Sequence, residues 1–125
     1  MYKILIFEDP RVVPVVTDFL REFEITEGVR FDVIIAPNSK VALKALPDVD
    51  MAIIDVWNEG REVAHKAVNE HKVPIVATVD AGIPSRNLFS HSLIRFLRKP
   101  AYDLKELRDH IRSFISQPKE HAFAI

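Results

Sequence analysis

The sequence contains no cysteine, only 3 glycines and no large excess of charge of either sign. Without cysteine there is neither a disulfide framework nor a thiolate metal site, which suits a reducing compartment. The 17 basic and 18 acidic residues give a formal charge of -1, which argues against nucleic acid or an anionic membrane as the main partner. No apolar run approaches the roughly 20 residues that a membrane helix needs. Because Glu8 and Asp9 interrupt the first apolar run, we also expect no signal peptide and a cytoplasmic location.

The composition that is present predicts a single folded domain. The chain has 125 residues, of which 48% are hydrophobic and 28% are charged. A domain of this size can bury a core large enough to need no disulfide or metal staple. The last apolar stripe is closed by Gln117 and Pro118. We therefore predict a domain over residues 1–117 and a short tail over residues 118–125.

Five short apolar runs predict five buried β-strands. They span residues 3–7, 31–36, 50–56, 73–79 and 93–97. Helix-like patterns lie between them and after the last one, so strands and helices alternate along the chain. This alternation is typical of an α/β protein with a doubly wound parallel sheet covered on both faces. Arg95 lies inside the fifth strand, which places that strand at an edge of the sheet.

Capping residues predict where the helices begin. Asp9 and Pro10 favour a first helix, although Pro14 should delay or bend its start, because proline cannot donate a backbone hydrogen bond inside a helix. The segment Pro37-Asn38-Ser39 predicts a turn and a cap for the second helix, and the segment from Asp103 to Glu106 has the spacing of a capping box for the last one. A short helix is predicted over residues 85–92.

Acidic side chains follow two of the predicted strands at their carboxyl ends. Glu8 and Asp9 terminate the first strand and Asp55 the third, while Thr78 lies near the end of the fourth and Lys99 follows the fifth. Ligands of such folds bind beyond these ends, and a strand order of 2-1-3-4-5 would make strands 1 and 3 neighbours. Mg²⁺ would offset the repulsion between the carboxylates, and Lys99 would add a compact positive charge. An ionised Asp55 could then attack phosphorus.

The ordered set of these motifs resembles a response-regulator receiver domain of the CheY-like family. Residues 3–9 (KILIFED) resemble its first strand and acidic pair, Ile53-Ile54-Asp55 its phosphoacceptor strand, and residues 96–100 (FLRKP) its fifth strand. The resemblance implies a flavodoxin-like fold and transfer of a phosphoryl group to Asp55 from the phosphohistidine of a histidine kinase or phosphotransfer protein.

The same resemblance implies the remaining site residues. Mg²⁺ would contact Glu8, Asp9, Asp55 and the backbone carbonyl of Trp57, and Phe96 would occupy the position of the switch aromatic. The expected partners are the phosphodonor protein and an unidentified downstream protein, and a homodimer is compatible with the sequence. No turnover of another substrate is implied, so the chain is not expected to be an enzyme. The large ring of Trp57 leads us to expect slow dephosphorylation.

Two departures from the family pattern keep alternatives open. The loop after Asp55 is short and contains no proline, and counting from Pro74 puts Val79, not Thr78, at the hydroxyl position. Because neighbouring strand residues face opposite sides, that count would turn the Thr78 hydroxyl away from the site. A pseudo-receiver, which binds partners without phosphorylation, is therefore the first alternative. A flavodoxin-like enzyme or cofactor carrier fits less well, because acids stand where a phosphate-binding fold would place glycines.

Overall fold

A computed structural model describes residues 1–57, 59–80, 92–99 and 103–116 of the chain. Strands and helices alternate along it, as the sequence predicts. The elements, in chain order, are β1 (Tyr2–Phe7), α1 (Val13–Glu27), β2 (Phe31–Ile35), α2 (Ser39–Ala45), a 3-10 turn (Leu46–Asp48), β3 (Met51–Asp55), α3 (Glu59–Asn69), β4 (Ile75–Asp80), β5 (Ile94–Lys99) and α4 (Leu104–Ser116). None of the helices in the described ranges is long and apolar enough to cross a membrane.

The five strands form one parallel sheet in the order β2-β1-β3-β4-β5. This confirms the predicted fold class and strand order, and it places β5 at an edge, as Arg95 indicated. β1 and β3 are neighbours, with Phe7 in register with Ile54. β3 and β4 are neighbours, with Asp55 in register with Thr78. The carboxyl ends of β1, β3 and β4 therefore meet at one edge of the sheet.

Helices cover both faces of the sheet. Successive strand residues point to opposite sides, so each strand packs its side chains against helices on both faces. In β3, Ile53 packs in a cluster with α1 and α4, whereas Ile54 packs in a cluster with α2 and α3. Both side chains are fully enclosed, with exposed fractions of 1% and 0%. Burial on both sides explains why β3 has a continuous apolar sequence. It also fixes the register, since a slip of one residue would exchange the two faces.

Helix α1 begins later than the predicted start at Asp9 and Pro10. Its first residue is Val13, so Pro14 lies in the first turn, and Gly28 ends the helix with a φ of 68°. A start at Pro10 would have placed Pro14 where a helical N–H bond is required, whereas the first turn needs none. The backbone of residues 9–12 instead forms a turn in which the Val12 N–H donates to the Asp9 carbonyl at 2.8 Å.

The predicted caps of two other helices are confirmed. The Asn38 side chain accepts from the Val41 N–H at 3.0 Å, at the start of α2. Asp103 Oδ1 accepts from the N–H groups of Lys105 and Glu106 at 3.0 and 3.1 Å, at the start of α4. Each cap satisfies backbone donors that the helix itself leaves unpaired.

Removing the Asn38 cap should destabilise the protein modestly. We expect Asn38→Ala to lower the free energy of unfolding by about 1 kcal/mol, because the first turn of the short helix α2 loses its side-chain acceptor. Asn38→Asp, which keeps an acceptor oxygen, is the matched control. Urea unfolding of both variants measures the difference, and equal losses for Ala and Asp would contradict the capping role.

At the β2 edge of the sheet, a side chain from α1 takes part in the backbone pairing. Glu24 Oε2 accepts from the Phe31 N–H at 2.8 Å, at the first residue of β2. On its other side, β2 pairs with β1. The first residue of the edge strand is thus held by a carboxylate from the neighbouring helix.

Two sequence predictions fall mostly or wholly outside the described residues. The helix predicted over residues 85–92 lies there except for Ser92, and so does the boundary between the domain and the tail at residues 117 and 118.

Lys99 was expected to follow the fifth strand, but it is the last residue of β5, in register with Asp80. The strand is longer than predicted because its pairing with β4 continues to the end of that strand.

Candidate functional site at the carboxyl edge of the sheet

Four of the predicted site residues lie at the carboxyl ends of the neighbouring strands β1, β3 and β4. Glu8 and Asp9 follow β1, Asp55 ends β3, and Thr78 lies beside Asp55 in β4. Glu8, Asp55 and Thr78 share one face of the sheet by the alternation of strand residues. The residues two positions before them all belong to the cluster beside α1 and α4: Ile6, Ile53 and Val76. We call Glu8, Asp9 and Asp55 the acidic corner.

Glu8 and Thr78 form a buried hydrogen bond inside this corner. The Thr78 hydroxyl donates to Glu8 Oε2 at 2.7 Å, and it lies 3.4 Å from the carbonyl oxygen of Ile54. Glu8 is 8% exposed and Thr78 is 0% exposed. The prediction from the count after Pro74, that the Thr78 hydroxyl faces away from the site, is therefore wrong. The pairing with β3 sets the register of β4, and it places Thr78 beside Asp55.

Asp9 is held by Arg11, a residue that the sequence reasoning did not select. Arg11 Nη2 lies 2.7 Å from Asp9 Oδ2, and Arg11 Nε lies 3.1 Å from Asp9 Oδ1. The backbone N–H of Arg11 also donates to Oδ1, at 2.9 Å. The hydrogen bond and the charge of Asp9 raise the pKa of Arg11 above its usual value, so the guanidinium is charged. The spacing of an acid and an arginine two residues apart was the only signal in the sequence.

A tight turn follows Asp55 and leads into α3. The backbone N–H of Trp57 donates to Asp55 Oδ1 at 3.2 Å, and the Trp57 carbonyl accepts from the Gly60 N–H at 3.1 Å. A Cβ at Gly60 would lie 1.6 Å from the carbonyl oxygen of Asp55, so only glycine fits this approach. The Trp57 side chain is 59% exposed, and its effect on dephosphorylation stays a prediction.

The arrangement of these side chains bears on the predicted Mg²⁺ ligands. Carboxylate and carbonyl oxygens are suitable ligands for this ion. Within the described ranges, however, no three His, Cys, Asp or Glu side chains are grouped so that they could hold a metal ion. Glu8 accepts from Thr78, both oxygens of Asp9 accept from Arg11, and the Trp57 carbonyl accepts from Gly60. The residues as arranged do not fit a preformed three-carboxylate metal site.

Solved structures match this architecture although the sequence is distant. No family model and no curated protein match the chain. A response regulator receiver protein from Sinorhizobium medicae WSM419 is similar with a TM-score of 0.68 and 20% identity, over 91% of this chain and 94% of that one. The signal receiver domain of a DNA binding response regulator from Colwellia psychrerythraea 34H gives a TM-score of 0.72 and 21% identity, over 94% and 100%. The chain has the receiver-domain fold.

The receiver fold alone leaves the activity open. A de novo designed Rossmann 2x3 protein also matches, with a TM-score of 0.60 and 16% identity over 96% of this chain and 97% of that one. Folds host many unrelated functions, so the activity has to be argued from the site.

Two further residues that the sequence predicts for the site, Lys99 and Phe96, lie in β5. Lys99 ends that strand, but its side chain lies outside the described residues. Phe96 is partly buried against the cluster beside α2 and α3, on the other side of the sheet from the acidic corner. The Nε2 atom of His110 lies 3.1 Å from the carbonyl oxygen of Phe96 and links α4 to β5. The structure places Phe96 next to Leu97, whose partner in β4 is Thr78.

Proposed function

We propose that this chain is a signal receiver that accepts a phosphoryl group on Asp55 from the phosphohistidine of a histidine kinase or phosphotransfer protein. The register of Asp55 with Thr78 at the carboxyl edge of the sheet is the observation that supports this proposal most. Asp55 is partly exposed, which is compatible with access by a donor, while the neighbouring Glu8 and Thr78 are buried. This edge, beside the first strand, is where ligands of doubly wound folds bind.

The proposed transfer is a substitution at phosphorus. A carboxylate oxygen of Asp55 forms the new P–O bond, the P–N bond of phosphohistidine breaks, and its electron pair returns to the imidazole nitrogen. The product is an acyl phosphate, which water can hydrolyse to restore Asp55. Thr78 and Lys99 are the proposed contacts of the phosphoryl group. Mg²⁺ at Glu8, Asp9, Asp55 and the Trp57 carbonyl stays a prediction of the resemblance.

The signal would be a shift between two conformations. Phosphorylation favours one of two pre-existing arrangements of β4 and β5, with Phe96 as the switch residue, and an unidentified downstream protein in the cytoplasm reads the difference. The chain acts on itself and turns over no other substrate.

A pseudo-receiver is the second candidate function. The hydrogen bonds from Arg11 to Asp9 and from Thr78 to Glu8 favour it, because they satisfy two of the three carboxylates without metal or phosphate. In this case the same fold would bind a partner without any covalent change at Asp55.

Intact-mass measurement separates these two functions. We expect the wild-type protein, incubated with Mg²⁺ and acetyl phosphate, to gain the mass of one phosphoryl group. Asp55→Asn should lose this gain completely, since an amide is not a competent nucleophile. Asp32→Asn, at an exposed position of β2, is the matched control and should behave as the wild type. No mass gain in the wild type would favour the pseudo-receiver, and a gain retained in Asp55→Asn would refute Asp55 as the acceptor.

A further inference from the structure

A groove of about 340 Å³ lies between α1 and the edge strand β2, away from the acidic corner. Its apolar lining comes from Leu20 of α1 and from the alternate residues Phe31, Val33 and Ile35 of β2. Ile35 is 49% exposed, and Phe31 and Val33 are half-buried. Within the described ranges the sheet has no strand beyond β2, so this lining is open to another molecule.

The α1 side of the groove carries one positive and one negative side chain. The Arg21 side chain is exposed, and it forms no hydrogen bond or ion pair with the described residues. Glu24 follows one turn later, and its Oε2 accepts from the Phe31 N–H at 2.8 Å, which leaves Oε1 for a second partner. The two charges cancel, so the lining does not favour a strongly charged partner. It is complementary to itself when a second copy is turned end to end.

An exposed isoleucine stands beside these charges on α1. Ile25 is 84% exposed, and it lies four residues after Arg21, so the two side chains are neighbours on the helix surface. In an antiparallel pair of α1 helices, an alignment that sets Arg21 opposite Glu24 of the second copy also sets Ile25 opposite Leu20 of that copy. A single alignment therefore pairs the charges and brings the exposed isoleucine to the apolar part of the other groove.

We propose that the groove between α1 and β2 binds a second copy of this chain, in a twofold arrangement with the two α1 helices antiparallel. Each Arg21 faces Glu24 of the other copy, so the dimer has two such ion pairs, and each Ile25 packs at the opposite groove. The contacts are made by side chains, so Glu24 keeps the Phe31 N–H and no strand is added to the sheet. The proposal goes beyond the proposed function, because self-association here does not require phosphoryl transfer to Asp55.

Sedimentation equilibrium over a concentration series up to about 1 mM tests this dimer, because even a weak complex is populated there. We expect the wild type to dimerise and Arg21→Glu to raise the dimer Kd at least about tenfold, since acidic side chains then face each other at both pairs. Ile25→Ser should raise the Kd by a similar factor, because it removes apolar contacts twice in each dimer. Arg61→Glu, at an exposed position of α3, changes the net charge equally and should dimerise as the wild type does.

A mixture of Arg21→Glu and Glu24→Arg proteins tests the pairing itself. Each variant alone sets like charges opposite each other, whereas a dimer of one with the other restores both ion pairs with reversed polarity. We expect the mixture to dimerise at concentrations where each variant alone is monomeric. Thermal unfolding checks that Glu24→Arg still folds without its acceptor for the Phe31 N–H, and if it does not, Arg21→Glu and Ile25→Ser decide the question.

Three results would overturn the proposal. The first is a wild-type protein that stays monomeric at about 1 mM. The second is a dimer that Arg21→Glu weakens no more than Arg61→Glu does, or that Ile25→Ser leaves unchanged. The third is a mixture of folded charge variants that associates no better than its components.

Discussion

Gly60→Ala is expected to destabilise the protein by about 3 kcal/mol, although a comparison of helix propensities predicts the opposite. Gly60 is buried in the first turn of α3, where alanine would ordinarily favour the helix by about 1 kcal/mol. The added methyl group, however, would lie 1.6 Å from the carbonyl oxygen of Asp55. That atom belongs to the backbone at the end of a central strand, so the clash can be relieved only by moving the turn between β3 and α3.

Gly28→Ala provides the matched control for this prediction. Gly28 has a φ of 68°, but a Cβ there would meet no atom within 4 Å. The control should therefore lose only the cost of the left-handed conformation, about 1 kcal/mol. Chemical denaturation of both variants measures the two losses. A Gly60→Ala protein as stable as the wild type, or more stable, would show that the close approach to Asp55 does not exist.

Thr78→Val should cost about 2 kcal/mol of stability, the second large effect. Valine has nearly the same shape as threonine, so packing is preserved while the donor to Glu8 Oε2 is lost. Glu8 is only 8% exposed, and water cannot easily replace the hydroxyl. A buried acceptor that loses one of its hydrogen-bond donors costs part of the free energy of removing it from water.

Thr78→Ser separates the hydrogen bond from the packing at this position. Serine keeps the hydroxyl and removes one methyl group, so its loss should be about 1 kcal/mol and should come from the small cavity. Thermal or urea unfolding of the two variants gives the comparison. If valine proves less disruptive than serine, then the methyl contacts, and not the bond to Glu8, stabilise this part of the sheet.

The sheet was predictable from the sequence because its signals are local. Runs such as residues 51–54 are buried on both faces, so they are apolar throughout, and the caps at Asn38 and Asp103 act within three residues of themselves. The alternation of strands and helices indicated a parallel sheet, whereas the strand order came from the flavodoxin-like fold that the family resemblance implied. The apolar strands and the helix caps depend on residues that are close together in the sequence, so a sequence pattern can predict them.

The geometry of the site was less predictable, because it depends on contacts between distant segments. Thr78 and Glu8 are 70 residues apart, and only the pairing of β4 with β3 shows that they meet. Arg11 was missed for a different reason. Its role arises from the late start of α1, which Pro14 determines, and an exposed arginine is usually just a solvated side chain.

Glu24 bears on how readily the free edge of β2 could pair with another strand. An edge strand presents a free row of backbone donors and acceptors on which a foreign strand can grow, and β2 occupies such an edge. The carboxylate of Glu24 already takes the first of these donors, the Phe31 N–H. An incoming strand would have to expel this charged group before it could pair along β2. The carboxylate of Glu24 therefore opposes strand addition at the start of β2.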